Sequence, residues 1–373
     1  LIVQVANPDD NIRVFRAGST TDTTSEWSIH FAHIKFQGGI IQTNNQGGHG
    51  GAIFVQGKNI ELSFENITIG NSTATGAGGA IYVNAQTNSG SATATVHIVN
   101  STIGRNTADW GAGIYIGTYS ATSTAKAFLS VVSSTIAGNI AQSHGGGVYI
   151  TSGGPVPTNT IHVLNSIVYG NYQNTNAEDI YIYTGTGTSK LYFAHTVYGS
   201  VNVALQKNIH NLQLETNQAN LTKVFSNVEF SENVYRPIFS EDNRTFQITT
   251  LTGYAVDTGT LVGKLEDAYY FYDKTNSELW INFSNDLEYT FDYSDTIAYG
   301  LQDPDAGLIG KVYSTAQNRD QQGSLMSRVQ TSLAFNAGAY ALTIAAPSLI
   351  VTTTLDEFNL FDGISLREAI AFA

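Results

Sequence analysis

Five carboxylates stand in the most regular part of the chain: Glu61, Glu65, Asp109, Glu178 and Asp179. Cleaving a glycan needs two carboxyl groups on one bond, or a basic residue beside a bound cation, gathered on one face. Set against the spacing of their neighbours, these five do not share a position, so no acid–base pair is expected and the chain reads as non-enzymatic. His49, Trp110 and His144 do share a position, each four residues ahead of an aliphatic (Ile53, Ile114, Val148), with Ala77 and Asn176 as their equivalents. Two imidazoles in one column suit a metal ion, but other copies of the unit intervene, and packing at a turn is the expected role. Asp303 and Asp305, near Asp295 and Asp320, offer the oxygens that calcium takes, without a regular loop spacing. Calcium is therefore the one cofactor candidate, and solvated acids are the expected reading.

What positions these residues is a repeat. Gly50-Gly51-Ala52-Ile53-Phe54-Val55 returns as Gly78-Gly79-Ala80-Ile81-Tyr82-Val83, then as Gly111-Ala112-Gly113-Ile114-Tyr115-Ile116 and Gly145-Gly146-Gly147-Val148-Tyr149-Ile150. A worn copy follows at Ala177-Glu178-Asp179-Ile180-Tyr181-Ile182. The central aliphatics are 28 to 34 residues apart, within the range of repeat architectures. A second phrase travels with the first: Asn66-Ile67-Thr68-Ile69-Gly70-Asn71, Asn100 to Asn106, Ser133 to Asn139 and Asn165 to Asn171. Each unit thus holds short β-branched or aromatic runs bounded by Gly and Asn, with no helical period.

Such strands bury themselves by stacking on their own copies, which predicts a right-handed parallel β-helix. Alternation assigns Ile53/Val55, Ile81/Val83, Ile114/Ile116, Val148/Ile150 and Ile180/Ile182 to the interior. Phe54, Tyr82, Tyr115, Tyr149 and Tyr181 then form an outward aromatic ladder, either a flat platform for a sugar chain or simple self-stacking, of which self-stacking is the stronger expectation. Asn71, Asn106, Asn139 and Asn171 are expected in equivalent turns, their amides bonding along the stack.

The chain has 373 residues and a net charge of −13, and it lacks cysteine. Of its charged residues, 7 basic and 9 acidic precede position 201, while 10 basic and 21 acidic follow it. An acidic surface without a basic run excludes nucleic acid as a partner, and no apolar run is long enough to span a membrane as a helix. Absent cysteine rules out disulfides and thiolate metal sites. Leu1 opens directly in a strand-like run without signal-peptide features, which reads as a processed or excised piece.

The expected organisation is an all-β chain: a parallel β-helix over 1–210, an aperiodic β-rich region over 211–345, and a strand-plus-helix tail over 346–373. Ala268 to Phe283 reads as an inserted hairpin. In the tail, Leu349, Val351 and Leu355 make a strand, and Ser365 with Glu368 makes a capping box for a helix carrying Leu366, Ala369 and Ile370.

The two repeated phrases resemble the repeats of polymorphic outer membrane proteins and related bacterial surface β-helices. Ala255-Val256-Asp257-Thr258-Gly259, Asp320-Gln321-Gln322-Gly323 and Asn336-Ala337-Gly338-Ala339-Tyr340 resemble the closing signature of choice-of-anchor surface proteins. Val351 to Asp356 with Gly363 to Ile370 resembles the CSLREA domain, although Ile364 stands in place of its cysteine and the motif ends the chain instead of preceding the solenoid. The resemblance implies an exported bacterial cell-surface protein, with no enzymatic activity attached to these motifs. Together with the misplaced tail it gives the expectation of a structural or adhesive extracellular fibre subunit, the tail of one copy capping the first rung of the next; a chain cut from a longer tandem array, in which the next module follows the tail, accounts for the tail equally well. A surface glycan is the alternative partner, since a β-helix of this kind also serves polysaccharide-binding and polysaccharide-cleaving proteins.

Overall fold

The computed structural model describes residues 2–4, 12–42 and 46–249, apart from 165, 184, 186, 195, 206, 210 and 241–244, and the backbone of short strands between 259 and 335. Its repeated part is a parallel β-solenoid. Each turn lays four strands in succession, and each strand hydrogen-bonds to its copy in the next turn.

Four sheets result. Face one runs from Phe15–Ala17 through Ile53–Gly57, Ile81–Thr87, Ile114–Ser120 and Val148–Gly153 to Ile180–Tyr183. Face two runs from Glu26–Ala32 through Asn59–Glu65, Ala92–Val99, Thr124–Val132 and Val156–Leu164 to Thr188–Ala194 and Lys207–Ile209. Face three holds the short strands of the second phrase, among them Thr68–Gly70, Thr102–Gly104 and Thr135–Ala137, and ends at Leu212–Gln213. Face four, from Ile40–Ile41 to Tyr172–Gln173, closes each turn.

The register matches identical positions of the repeat, as in Ile81 with Ile53 and Ile114, and Val83 with Val55 and Ile116. All ten interior aliphatics named from the sequence fall in one continuous buried cluster with Leu62, Phe64, Val96, Ile98, Leu129 and Val131 of face two. Each is worth about 1.5–3 kcal/mol when fully removed from water. Phe31 closes the N-terminal end of this core, stacked on Phe64 at 5.2 Å and edge-on to Phe15 and Phe36 at 5.0 and 5.5 Å.

The glycine phrase is a turn requirement. Gly78 sits at φ +72°, and a Cβ there would come within 2.6 Å of the Ile81 carbonyl oxygen and 2.7 Å of the Tyr82 Cβ. Only glycine takes that left-handed conformation at so close an approach.

Residues 218–249, which the sequence places with the aperiodic region, lie back along the outside of face three. Helix α1 (Gln218–Val224), capped by Asn217, buries Leu221 and Val224. With Phe225, Phe239, Phe246 and Ile248 they cover Ala137, Ile167, Tyr169 and Val197. Arg236, only 2% exposed, donates to the Gly138 carbonyl at 2.8 Å and pairs with Glu232 at 2.7 Å. Arg105 reaches Glu229 at 2.5 Å and the Pro237 carbonyl at 3.1 Å. A Cβ on Gly104 would meet the Phe246 ring at 2.3 Å, so the brace fits only where the strand is bare.

Further on, Ala268–Asp273 and Glu278–Asn282 pair antiparallel, with Tyr270 opposite Ile281, forming the hairpin read from the sequence. Asp303, Asp305 and the tail from Leu349 to Ala373, including Val351, Leu355, Ser365, Leu366, Glu368, Ala369 and Ile370, lie outside the described residues.

Candidate functional site

Four files of side chains run along the solenoid axis, of asparagine, of serine, of stacked rings and of His49, Trp110 and His144, and the rung of the worn copy ends the asparagine file with a carboxylate. The first column is polar. Asn139 Oδ1 accepts from the Asn106 backbone N–H at 3.0 Å and from its amide at 2.9 Å, and Asn171 Oδ1 does the same for Asn139 at 3.1 and 2.8 Å. Each amide also donates to a carbonyl one turn back, that of Ile69, Ile103 or Ile136. The three asparagines are fully buried, so every group in the column must find a partner within it.

One expectation needs correcting here. Asn71 is not in the column; Ser72 is, its N–H donating to Asn106 Oδ1 at 2.9 Å. Asn71 aligns instead with Arg105, Gly138 and Gly170, the left-handed position just before, at φ +54°, +58°, +68° and +74°. Counting from the strand shows why: Ser72, Asn106, Asn139 and Asn171 each come three residues after Ile69, Ile103, Ile136 and Val168. A parallel serine column, Ser101, Ser134 and Ser166, accepts the N–H of the preceding turn at 3.0–3.1 Å.

Where the next asparagine would stand, Asp179 takes over. Its Oδ1 accepts from the Asn171 N–H and amide at 2.9 and 2.8 Å, and its Oδ2 from the Ser200 N–H at 2.8 Å. Burial pushes this carboxyl up to about 7 although backbone and amide donors from Asn171, Ser200 and Gly199 pull the other way. Glu178 plays the same part at the glycine turn. In earlier turns the N–H of this glycine donates to the next rung's carbonyl, as Gly111 does to His144 at 2.9 Å. At Gly145 the Glu178 Oε2 accepts it instead, at 2.6 Å.

The aromatic column is continuous. Successive rings from Phe54 through Tyr82, Tyr115 and Tyr149 to Tyr181 lie 5.0, 5.0, 5.4 and 5.6 Å apart, within 11° of parallel. They point away from the apolar interior, yet Phe54 is wholly buried and Tyr82 and Tyr149 are 6% and 7% exposed. A platform for a sugar would need free ring faces. Here the faces are spent on one another, and what the surface receives is ring edges. Tyr119 and Tyr183 of the same sheet, 48% and 53% exposed, escape the repeat pattern because they lie beyond the six-residue repeated phrase.

His49, Trp110 and His144 form a second file against this ladder, each touching the ring one rung along. His49 stacks on Tyr82 at 4.7 Å, Trp110 meets Tyr149 edge-on at 5.3 Å, and His144 stacks on Tyr181 at 4.1 Å. Ala77 occupies the rung between. The His49 Nδ1 accepts from the Ala77 N–H at 2.9 Å, and burial followed by the charge of Arg13 lowers its pKa, so this imidazole is neutral. The His144 Nδ1 lies 3.3 Å from Glu178 Oε1, and Ser143 donates to Asp109 at 2.5 Å. The solenoid thus brings Asp109, His144 and Glu178 to one corner, closer than the sequence suggested, but with the carboxylates engaged by Ser143 and Gly145. Among the described residues no group of three or more His, Asp or Glu side chains converges on one point.

A separate depression of about 390 Å³ opens on face two near the N-terminal end, lined by Glu26, Trp27, Ser28, Asn59, Glu61 and Thr95 among others. Asn59 donates to Glu26 at 2.7 Å and Ser28 to Glu61 at 3.5 Å.

Compared with protein-family models, with curated proteins and with solved structures, the chain matches none.

Proposed function

We propose that this is a structural or adhesive protein of a bacterial cell surface, a stiff extracellular spacer that meets its partners along the solenoid. The observation that carries the reading is how the buried polar side chains are used. Asn106, Asn139, Asn171 and Asp179 hydrogen-bond along the axis, which is the chemistry of stiffening a rod. The resemblance of the repeated phrases to bacterial surface β-helices supports the extracellular location. Assembly with identical subunits head to tail is part of the proposal. Glu26–Ala32 is the end strand of face two among the described residues, and an end strand is a template for another. The tail beyond Leu349 is the segment proposed to cover it.

The test is electron microscopy and sedimentation of the intact chain, beside adhesion of protein-coated beads to cells and matrices. Filaments or saturable adhesion are expected. A monodisperse monomer that coats beads without making them adhere would sink the reading.

A glycan-binding reading is favoured by one observation, the depression walled by Glu26, Glu61 and Thr95 around Trp27, since sugars pair hydroxyls with carboxylates beside an aromatic ring. Binding to a polysaccharide array that disappears in Glu61→Gln would establish it.

A further inference from the structure

A stack of parallel rings has free faces only at its two ends, and this one fills the first end itself. The Arg13 guanidinium lies 4.7 Å from the centre of the Phe54 ring, with that of Arg16 at 5.9 Å. Arg13 is held there by donating from Nε to the His49 carbonyl at 2.7 Å. Burial and the neighbouring Arg16 lower its pKa to about 10, which leaves it cationic at neutral pH.

The second end differs. Tyr149 and His144, both of the preceding rung, stack on one side of Tyr181 at 5.6 and 4.1 Å. Among the described residues no ring and no cation is stacked on its other side. Asn202, next in register, has its amide committed to the Ile182 N–H and carbonyl at 2.7 and 2.9 Å. The Glu178 carboxylate reaches back to the preceding rung, its Oε1 3.3 Å from His144 and its Oε2 accepting the Gly145 N–H, and the exposed Tyr183 flanks the open side.

We propose that the Tyr181 end of the ladder binds a guanidinium group presented by a protein partner, an arginine side chain laid flat on the open face of the ring. A ring face carries negative potential and attracts cations, and a planar, weakly hydrated guanidinium stacks flat on it where a compact, strongly hydrated ammonium does not. The net charge of −13 favours the approach of a basic partner. Arg13 on Phe54 is the same contact made within the chain. The proposal deepens the adhesive reading by naming the chemistry of one contact.

The experiment is a titration of the full chain with N-acetyl-arginine amide, read by shifts of the tyrosine ring resonances. Saturable binding is expected. Tyr181→Phe should keep it, and Tyr181→Leu should weaken it about tenfold. Arg13→Gln, at the far end, should leave it unchanged. Equal binding by Tyr181→Leu, no saturation at all, or equal binding of the uncharged N-acetyl-citrulline amide would each overturn the site. Bead adhesion of the same variants separates the two readings: arginine binding without adhesion removes only the adhesive function, and adhesion untouched by Tyr181→Leu removes only this site from it.

Discussion

The asparagine column and the aromatic column run side by side over the same rungs, and they end differently. Hydrogen bonds are directional, so each asparagine both supplies and requires a partner in the next turn, and the run stops only where Asp179 offers acceptors without needing further donors. Ring stacking is not so constrained. The aromatic column tolerates Phe54 among tyrosines, the file of His49, Trp110 and His144 beside it tolerates Ala77, and among the described residues the column ends on Tyr181 with a face left over. A buried polar ladder must be complete; an aromatic one can be approximate.

The sharpest way to break this contrast is to interrupt both columns at the same level. Asn139→Ala leaves the Asn106 N–H and amide, and the Ile103 carbonyl, without their partners in a fully buried site. At about 1–3 kcal/mol for each unsatisfied group, a loss on the order of 4 kcal/mol is expected in denaturant unfolding. Tyr115→Leu keeps apolar bulk but removes one ring between two stacked neighbours, and should cost about 2 kcal/mol. If the tyrosine variant proved the more damaging of the two, the distinction between complete and approximate ladders would fail.

A smaller effect separates the polar column's end from its middle. With its folded pKa raised to about 7, Asp179 holds its proton more tightly in the folded state than in the unfolded one, so its contribution falls as pH rises from about 4 to 7. Between pH 5 and 8 the loss from this group is on the order of 2–3 kcal/mol. Burial lowers His97 and His162 to about 4 and about 3, and these act in the opposite sense below about pH 6.5, because there the unfolded chain binds more protons. The quantity to measure is therefore the difference between the parent and Asp179→Asn. The variant should be less stable at pH 5, where its amide faces the Ser200 N–H, with the gap narrowing toward pH 8. Parallel stability curves would remove Asp179 as the titrating group.

Much of this was legible in the sequence because the repeat repeats its chemistry. Ile53, Ile81, Ile114, Val148 and Ile180 fixed both the register and the interior. Asn71 misled because two asparagine positions sit next to each other, one needing left-handed backbone and one needing an amide, and type alone does not separate them. Glu178 and Asp179 looked like wear in the pattern, yet they occupy the places of Gly146 and Gly147, where the missing rung's acceptors are replaced. The brace of 218–249 left no periodic trace, since its partners are bare positions such as Gly104 that read as ordinary strand glycines. The direction of the ring faces depends on side-chain torsions, and alternation along a strand specifies only the side on which a residue emerges.

The smallest expected effect lies at the N-terminal end of the aromatic column. Arg13 covers the Phe54 ring at 4.7 Å and ties it to the His49 carbonyl, while His49 in turn stacks on Tyr82 and receives the Ala77 N–H. Arg13→Gln keeps a donor for the carbonyl but removes the charge from the ring, and losing the cation–ring attraction should cost about 0.5–1 kcal/mol. Its loss should also raise the His49 pKa, since Arg13 is one of the two causes that lower it. Titration of the His49 ring by NMR therefore reports on the contact even where unfolding is too coarse to register it. A His49 midpoint that stays put in Arg13→Gln would show that the cation does not sit over the end of the ladder, and with it the chain's own precedent for a cation at Tyr181 would go.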